Sequence, residues 1–287
     1  MKYPMILTCA AAFSLITSSG WAKTPRPLVT IDLERHAIEW PNPGELALAA
    51  DVSAAVAELA QELRHMTEVE KLATGSSRAE AGESPTALME KAVAAVRAKR
   101  LATLTLLRPA AKTAPQWLLL AELEAAQAQD AYDQAVEAEA KAPKLQVAAV
   151  EAACAKGMAA APVAEVARGL EYAWAMALES RGQGAEAAKH YRTALAGAPE
   201  PWRSEMLFRL GGLELSKDPA AAQTTWSQVS ATPYVVYASY RQTMELTKAG
   251  KCAPARDTMA KLAAAPELPG TSYVDVAAQA VSGCKAK

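Results

Sequence analysis

In the second half of the chain, apolar positions fall at helical spacing, and the spacing itself repeats. Ala187, Tyr191 and Ala194 stand four and three residues apart, and Pro199 closes the run. A proline cannot continue a helix, so each such run ends at a built-in stop. Ala222, Trp226, Val229 and Pro233 follow, then Ala255, Met259, Leu262 and Pro266. The leading alanines are 35 and 33 positions apart, and the prolines 34 and 33. A period of this length predicts pairs of short helices, each unable to bury its apolar face alone, stacked in layers. The alanines let backbones approach, and Tyr191, Trp226 and Met259 fill the seam between layers. The clearest repeats are expected over 163–199, 200–233 and 234–266. A closing helix over 271–284 is expected to cover the last apolar face.

Upstream the pattern is looser. Leu46, Leu48, Val52, Val56, Leu59 and Leu63 predict a helix from about Gly44 to Leu72. A polar stretch over 73–85 interrupts it. Ser84-Pro85 then reads as a helix start, a capping hydroxyl followed by a proline in the first turn. That helix is expected to reach about Leu107, with Leu88, Ala92, Val96 and Leu104 inward. Arg97, Lys99, Arg100 and Arg108 gather towards its C-terminal end, where cations suit the helix dipole; an anionic ligand is the alternative reading. Residues 115–142 allow either one long helix or a break near Tyr132. Residues 144–160 place Val150, Cys154 and Gly157 ahead of Pro162, as a decayed repeat would. Ahead of all this, over 23–43, Val29, Ile31 and Leu33 alternate with Thr30, Asp32 and Glu34 between prolines. An extended arm is the expectation, and a strand donated by 28–34 to a partner's sheet edge the alternative.

The repeat resembles the tetratricopeptide (TPR) family, a helix–turn–helix solenoid of about 34 residues per repeat. The resemblance spans roughly 163–270. Leu207, Leu210 and Gly211 match the family's first-helix signature, and one repeat earlier Trp174, Ala175 and Leu178 stand in the places of the family's Leu, Gly and Tyr. Glu214 departs from the expected Tyr, and its repeat is one residue short before Ala222. The resemblance implies an all-α, α-α superhelical fold, with the solenoid over 113–287 and a helical N-terminal region over 44–112. It also implies a concave groove lined by first helices, where a protein or peptide partner lies. By repeat register the groove residues are Tyr172, Met176, Phe208, Arg209, Tyr237, Tyr240, Arg241 and Met244, rich in the residue types that interface cores favour.

Composition narrows the remaining choices. The hydrophobic fraction of 51% is inflated by alanine, and the chain has only two Phe, which fits an all-helical protein. A net charge of −1 over 287 residues leaves no electrostatic footprint for nucleic acid or an anionic membrane. Residues 1–22 have the form of a secretory signal: Lys2, an apolar run from Met5 to Ile16, and Gly20-Trp21-Ala22 as the cleavage site. The expected location is therefore periplasmic or secreted, with no membrane insertion after cleavage behind Ala22. Thr8 ahead of Cys9 does not fit a lipidation site. Export permits a disulfide. Cys252 opens the second helix of a repeat and Cys284 ends the next helix, so antiparallel packing brings the two together. Cys154 is left as a small buried residue. His36, His65 and His190 are scattered, and no metal, phosphate-loop or nucleophile motif is present; no catalytic residue, metal or cofactor is expected. The reading is a non-catalytic scaffold in a cell-envelope assembly. The alternatives are a structural subunit of an outer-membrane or secretion machine that donates residues 28–34, and a helical enzyme acting on cell-wall glycans.

Overall fold

Helices account for all the regular structure in the computed structural model, which describes residues 46–74, 84–138, 145–265 and 273–285. The expected signal segment 1–22 and the expected arm 23–43 lie outside the described residues. Among the described residues there is no strand, and no helix is long and apolar enough to cross a membrane. Consecutive helices pack as pairs, as expected of an all-α repeat architecture. The chain divides into two compact units between Gln183 and Gly184, inside the stretch 163–199.

The first unit contains α1 (Ala50–Thr74), α2 (Pro85–Ala110), α3 (Ala114–Glu137), α4 (Ala148–Ala159) and α5 (Ala164–Ser180). Of the expected stripe, Val52, Val56, Leu59 and Leu63 are buried on α1, Leu46 is buried ahead of it, and Leu48 is only half-buried. The helix starts later than Gly44, however, because Ala47 adopts a left-handed turn with φ 47°. At α2 the Ser84 hydroxyl accepts from the Ala87 N–H at 3.2 Å, and Pro85 is the first helical residue. The inward stripe takes Met89 where Leu88 was expected.

Residues 114–137 form one helix, which settles the choice left open at Tyr132. α3 packs against α2, α4 and α5. That explains its run of buried residues from Leu118 to Ala126, in which even Glu122 and Glu124 are enclosed: a helix covered on several sides belongs in a core. Its start carries a Thr113–Gln116 capping box. The buried Gln116 side chain accepts from Lys112 N at 2.8 Å and donates to Leu46 O at 2.8 Å. On α4, Val150 and Cys154 are fully buried, and Gly157 closes against Leu170 of α5.

The second unit contains α6 (Gly184–Ala194), α7 (Trp202–Glu214), α8 (Pro219–Trp226), α9 (Tyr234–Lys248), α10 (Cys252–Ala264) and α11 (Tyr273–Ser282). The periodic positions are its core. Ala187, Tyr191, Ala194, Ala222 and Ala255 are all fully buried, Trp226 and Leu262 nearly so. Val229 is buried, and Met259 is partly buried against Val236, Leu262, Tyr273 and Ala277. Ala222 packs with Leu207, Trp226, Val229 and Ala238, where α7, α8 and α9 meet. Ala222→Leu is expected to overpack that point and cost about 1–3 kcal/mol. A thermal melt with no loss would reject the layer assignment.

The helix ends repeat too. After α5, Gly182 N–H bonds Glu179 O at 2.9 Å and Gln183 N–H bonds Leu178 O at 2.9 Å. After α9, Gly250 N–H bonds Thr247 O at 3.0 Å and Lys251 N–H bonds Leu246 O at 2.9 Å. Both are Schellman stops with glycine in the left-handed region, φ 77° and 73°. The intervening turn, after α7, has no glycine. There Asp218 caps α8, accepting from Ala220 N and Ala221 N at 3.0 Å each. This is the place where the sequence repeat is one residue short. Glu214, the departure from the family's Tyr, accepts from Arg192 of α6 at 2.7 Å and from the Thr225 hydroxyl of α8 at 2.6 Å. A carboxylate tie thus stands where an aromatic ring was expected.

Candidate functional site

Three helices of the second unit converge on a run of aromatic rings. On α9, Tyr237, Tyr240 and Met244 lie three, four and seven residues apart, hence on one face. The opposite side of α9, carrying Val236, Ser239, Gln242 and Thr243, is buried. Tyr237, Tyr240, Arg241 and Met244 are therefore held at the boundary, each half-buried.

Neighbouring helices extend the run. Phe208 of α7 sits 5.9 Å from the Tyr237 ring and 6.4 Å from Tyr234, centroid to centroid. Tyr273 of α11 lies 5.8 Å from Tyr237 and 5.0 Å from Tyr240. Tyr234 and Tyr237 meet edge to face at 6.4 Å. These separations are those at which aromatic rings attract each other beyond simple burial. Five rings, from Phe208 through Tyr234, Tyr237 and Tyr273 to Tyr240, thus form one connected surface.

One end of the run is pinned by a buried carboxylate. Glu205 accepts from the Tyr234 hydroxyl at 2.7 Å and from Arg209 Nε at 3.0 Å. The start of α9 is fixed by the fully buried Ser204, whose hydroxyl accepts from Ser230 N at 3.1 Å and Ala231 N at 2.9 Å. These bonds set where Tyr234 begins α9, and so where its ring meets Phe208.

Tyr273 is the most enclosed of the five. Burial raises its phenol above the ordinary value of 10, Tyr240 adds to the rise, and Arg241 opposes it. The neutral phenol is thus favoured in the folded chain. The unfolded chain ionises first, so this contribution to stability is complete below about pH 10 and falls away above it. Alkaline melts are expected to show a smaller loss for Tyr273→Phe than for the parent chain. Equal losses would mean that Tyr273 is as solvated folded as unfolded.

Not all the groove residues expected from repeat register come together. Phe208, Arg209, Tyr237, Tyr240, Arg241 and Met244 share this region of the second unit. Tyr172 and Met176 belong to the first unit and are 3% exposed each. They are packing residues, because α5 is pressed against both α3 and α4 and is buried from Tyr172 to Glu179 apart from Trp174. Tyr234, Tyr273 and Glu205 were not anticipated. Glu205 had a sequence signal, its position four residues before Arg209 on one helix.

The four cations of α2 pair with carboxylates of the same unit, and of the four Arg108 alone stands in the last turn, where the helix dipole favours a cation. Lys99 bonds Glu58 at 2.7 Å, which raises the lysine's pKa. Arg108 bonds both oxygens of Glu124 at 2.6 and 2.8 Å. Arg97 and Arg100 both reach Asp130.

Cys252 and Cys284 form the expected disulfide, with Cα atoms 5.7 Å apart. Cys154 is a free, fully buried thiol. Burial, reinforced by Glu122, Glu171 and Glu151, drives its pKa far upward and disfavours the thiolate. Among the described residues, no group of His, Cys, Asp and Glu could hold a metal ion.

Comparison with family models, curated proteins and solved structures finds no match for this chain.

Proposed function

We propose that the protein is a non-catalytic, TPR-like scaffold that takes a protein or peptide segment on the aromatic face of its second unit. The connected, half-buried rings of Phe208, Tyr234, Tyr237 and Tyr240 carry this reading. Rigid aromatic side chains present large contact area at little entropic cost, and Arg241 and Met244 border them. The place of action we infer is the cell envelope, after removal of residues 1–22. The Cys252–Cys284 disulfide supports that location, since such bonds persist in oxidising compartments.

A photoreactive phenylalanine analogue at Tyr240, in the native envelope, tests the reading. One protein captured from Tyr240 and not from the exposed Lys261 is the expected result. Capture should survive deletion of residues 23–43. No capture, or equal capture from both positions, would overturn use of this face. Loss of capture on deletion would instead favour the reading in which residues 28–34 are donated to a partner.

A further inference from the structure

We propose that the Cys252–Cys284 disulfide is a thiol-operated latch: its reduction releases α11 from α9 and α10 while the rest of the second unit stays folded. The latch acts on the chain's own order, independently of anything that binds the aromatic face.

α11 has ten residues, too few to remain helical in water by itself. It docks through Tyr273, Ala277 and Val281, spaced every four residues, with Val274 partly buried beside them. Its other side, with Asp275, Val276, Ala278 and Gln279, faces solvent. Beyond the last turn, Cys284 is bonded to Cys252, the first residue of α10. α11 packs against α9 and α10. The helices beneath are better supported. α9 packs against α7, α8 and α10 as well as α11, and α7 against α6, α8 and α9.

Both bridge cysteines are half-buried, so a small thiol can reach them. A dithiol's thiolate attacks one bridge sulfur, the Cys252–Cys284 bond breaks, and a mixed disulfide forms. The second thiol of the reductant then displaces the protein sulfur. Two electrons and two protons have passed to the bridge; Cys252 and Cys284 are thiols and the reductant is a cyclic disulfide. The covalent loop had a sequence separation of 32. Opening it restores the entropy that opposed detachment, worth on the order of a hundredfold in the local opening equilibrium. Once α11 leaves, the Tyr237 and Tyr240 rings lose Tyr273, and Met259 and Leu262 lose their cover.

Hydrogen exchange on the full chain, folded first and then reduced with dithiothreitol, reads this directly. Amides of 274–282 should exchange on the order of a hundredfold faster, with α7 and α9 keeping their protection. The Cys252→Ser, Cys284→Ser double variant should show the same pattern. Unchanged exchange in α11, with the bridge shown open by mass, would overturn the proposal. Equal acceleration through α7 and α9 would overturn it too, because the bridge would then support the whole unit.

Discussion

Trp226→Ala is expected to destabilise the protein by about 3–5 kcal/mol, the range for removing a large buried aromatic side chain. Trp226 is 2% exposed, and its indole Nε1 donates to the Phe208 carbonyl at 2.9 Å. The indole lies directly on the backbone of α7 at Gly211. A Cβ at that position would come within 2.4 Å of Nε1 and 2.6 Å of Cδ1. This gives a second, sharper expectation. In an ordinary helix interior, Gly→Ala stabilises by about 0.5–1 kcal/mol. Here the ring is pinned by its hydrogen bond and by Leu207, Ala222, Val229 and Ala238, so it has no room to retreat. Overpacking costs about 1–3 kcal/mol and should win, making Gly211→Ala destabilising. In the Trp226→Ala background the obstruction is gone, and the same substitution should become stabilising. Denaturant melts of the two single variants and the double variant measure that reversal. A Gly211→Ala effect that keeps its sign in both backgrounds would refute the contact.

Asp130→Ala is expected to cost about 3 kcal/mol, the lower end of the range for breaking a buried ion pair. Arg100 is the reason: its side chain is 5% exposed and paired with Asp130, whereas Arg97, at 3.3 Å from the same carboxylate, is 31% exposed and can turn to water. Removing the carboxylate takes the Asp130 charge away from a guanidinium held in a low-dielectric setting. Replacing the charge as well, by Arg100→Met in the Asp130→Ala background, should recover most of the loss, since apolar packing substitutes well for a buried pair. Urea titrations would show it. If the double variant were less stable than Asp130→Ala, Arg100 would be contributing something other than this pair.

The helical layers were legible from the sequence because they depend on local spacing. Ala187 with Tyr191, Ala222 with Trp226, and Ser84 with Pro85 signal within one or two turns of chain, and the structure places each as that spacing requires. The disulfide was legible for a related reason, since an antiparallel helix pair brings Cys252 and Cys284 to the same end. What the chain did not disclose lies at long separation. Arg100 and Asp130 are 30 residues apart, Lys99 and Glu58 41, and nothing local to either partner marks the other. Tyr273 joins Tyr237 and Tyr240 only through packing of α11 on α9. Tyr172 and Met176 mislead because outward is defined by neighbours: a helix covered by both α3 and α4 turns its nominal groove face into core.

Gln116 settles where this protein can be trimmed. Its amide donates to Leu46 and Ala47 carbonyls at 2.8 and 3.3 Å from 70 and 69 residues away. A fragment begun at Ala50 would keep the whole of α1 and still strand that buried amide. Each acceptor lost there is worth about 1–3 kcal/mol of unmet desolvation. Fragments of the first unit that keep Leu46 are therefore expected to be more stable than one begun at Ala50, although Leu46 lies outside every helix.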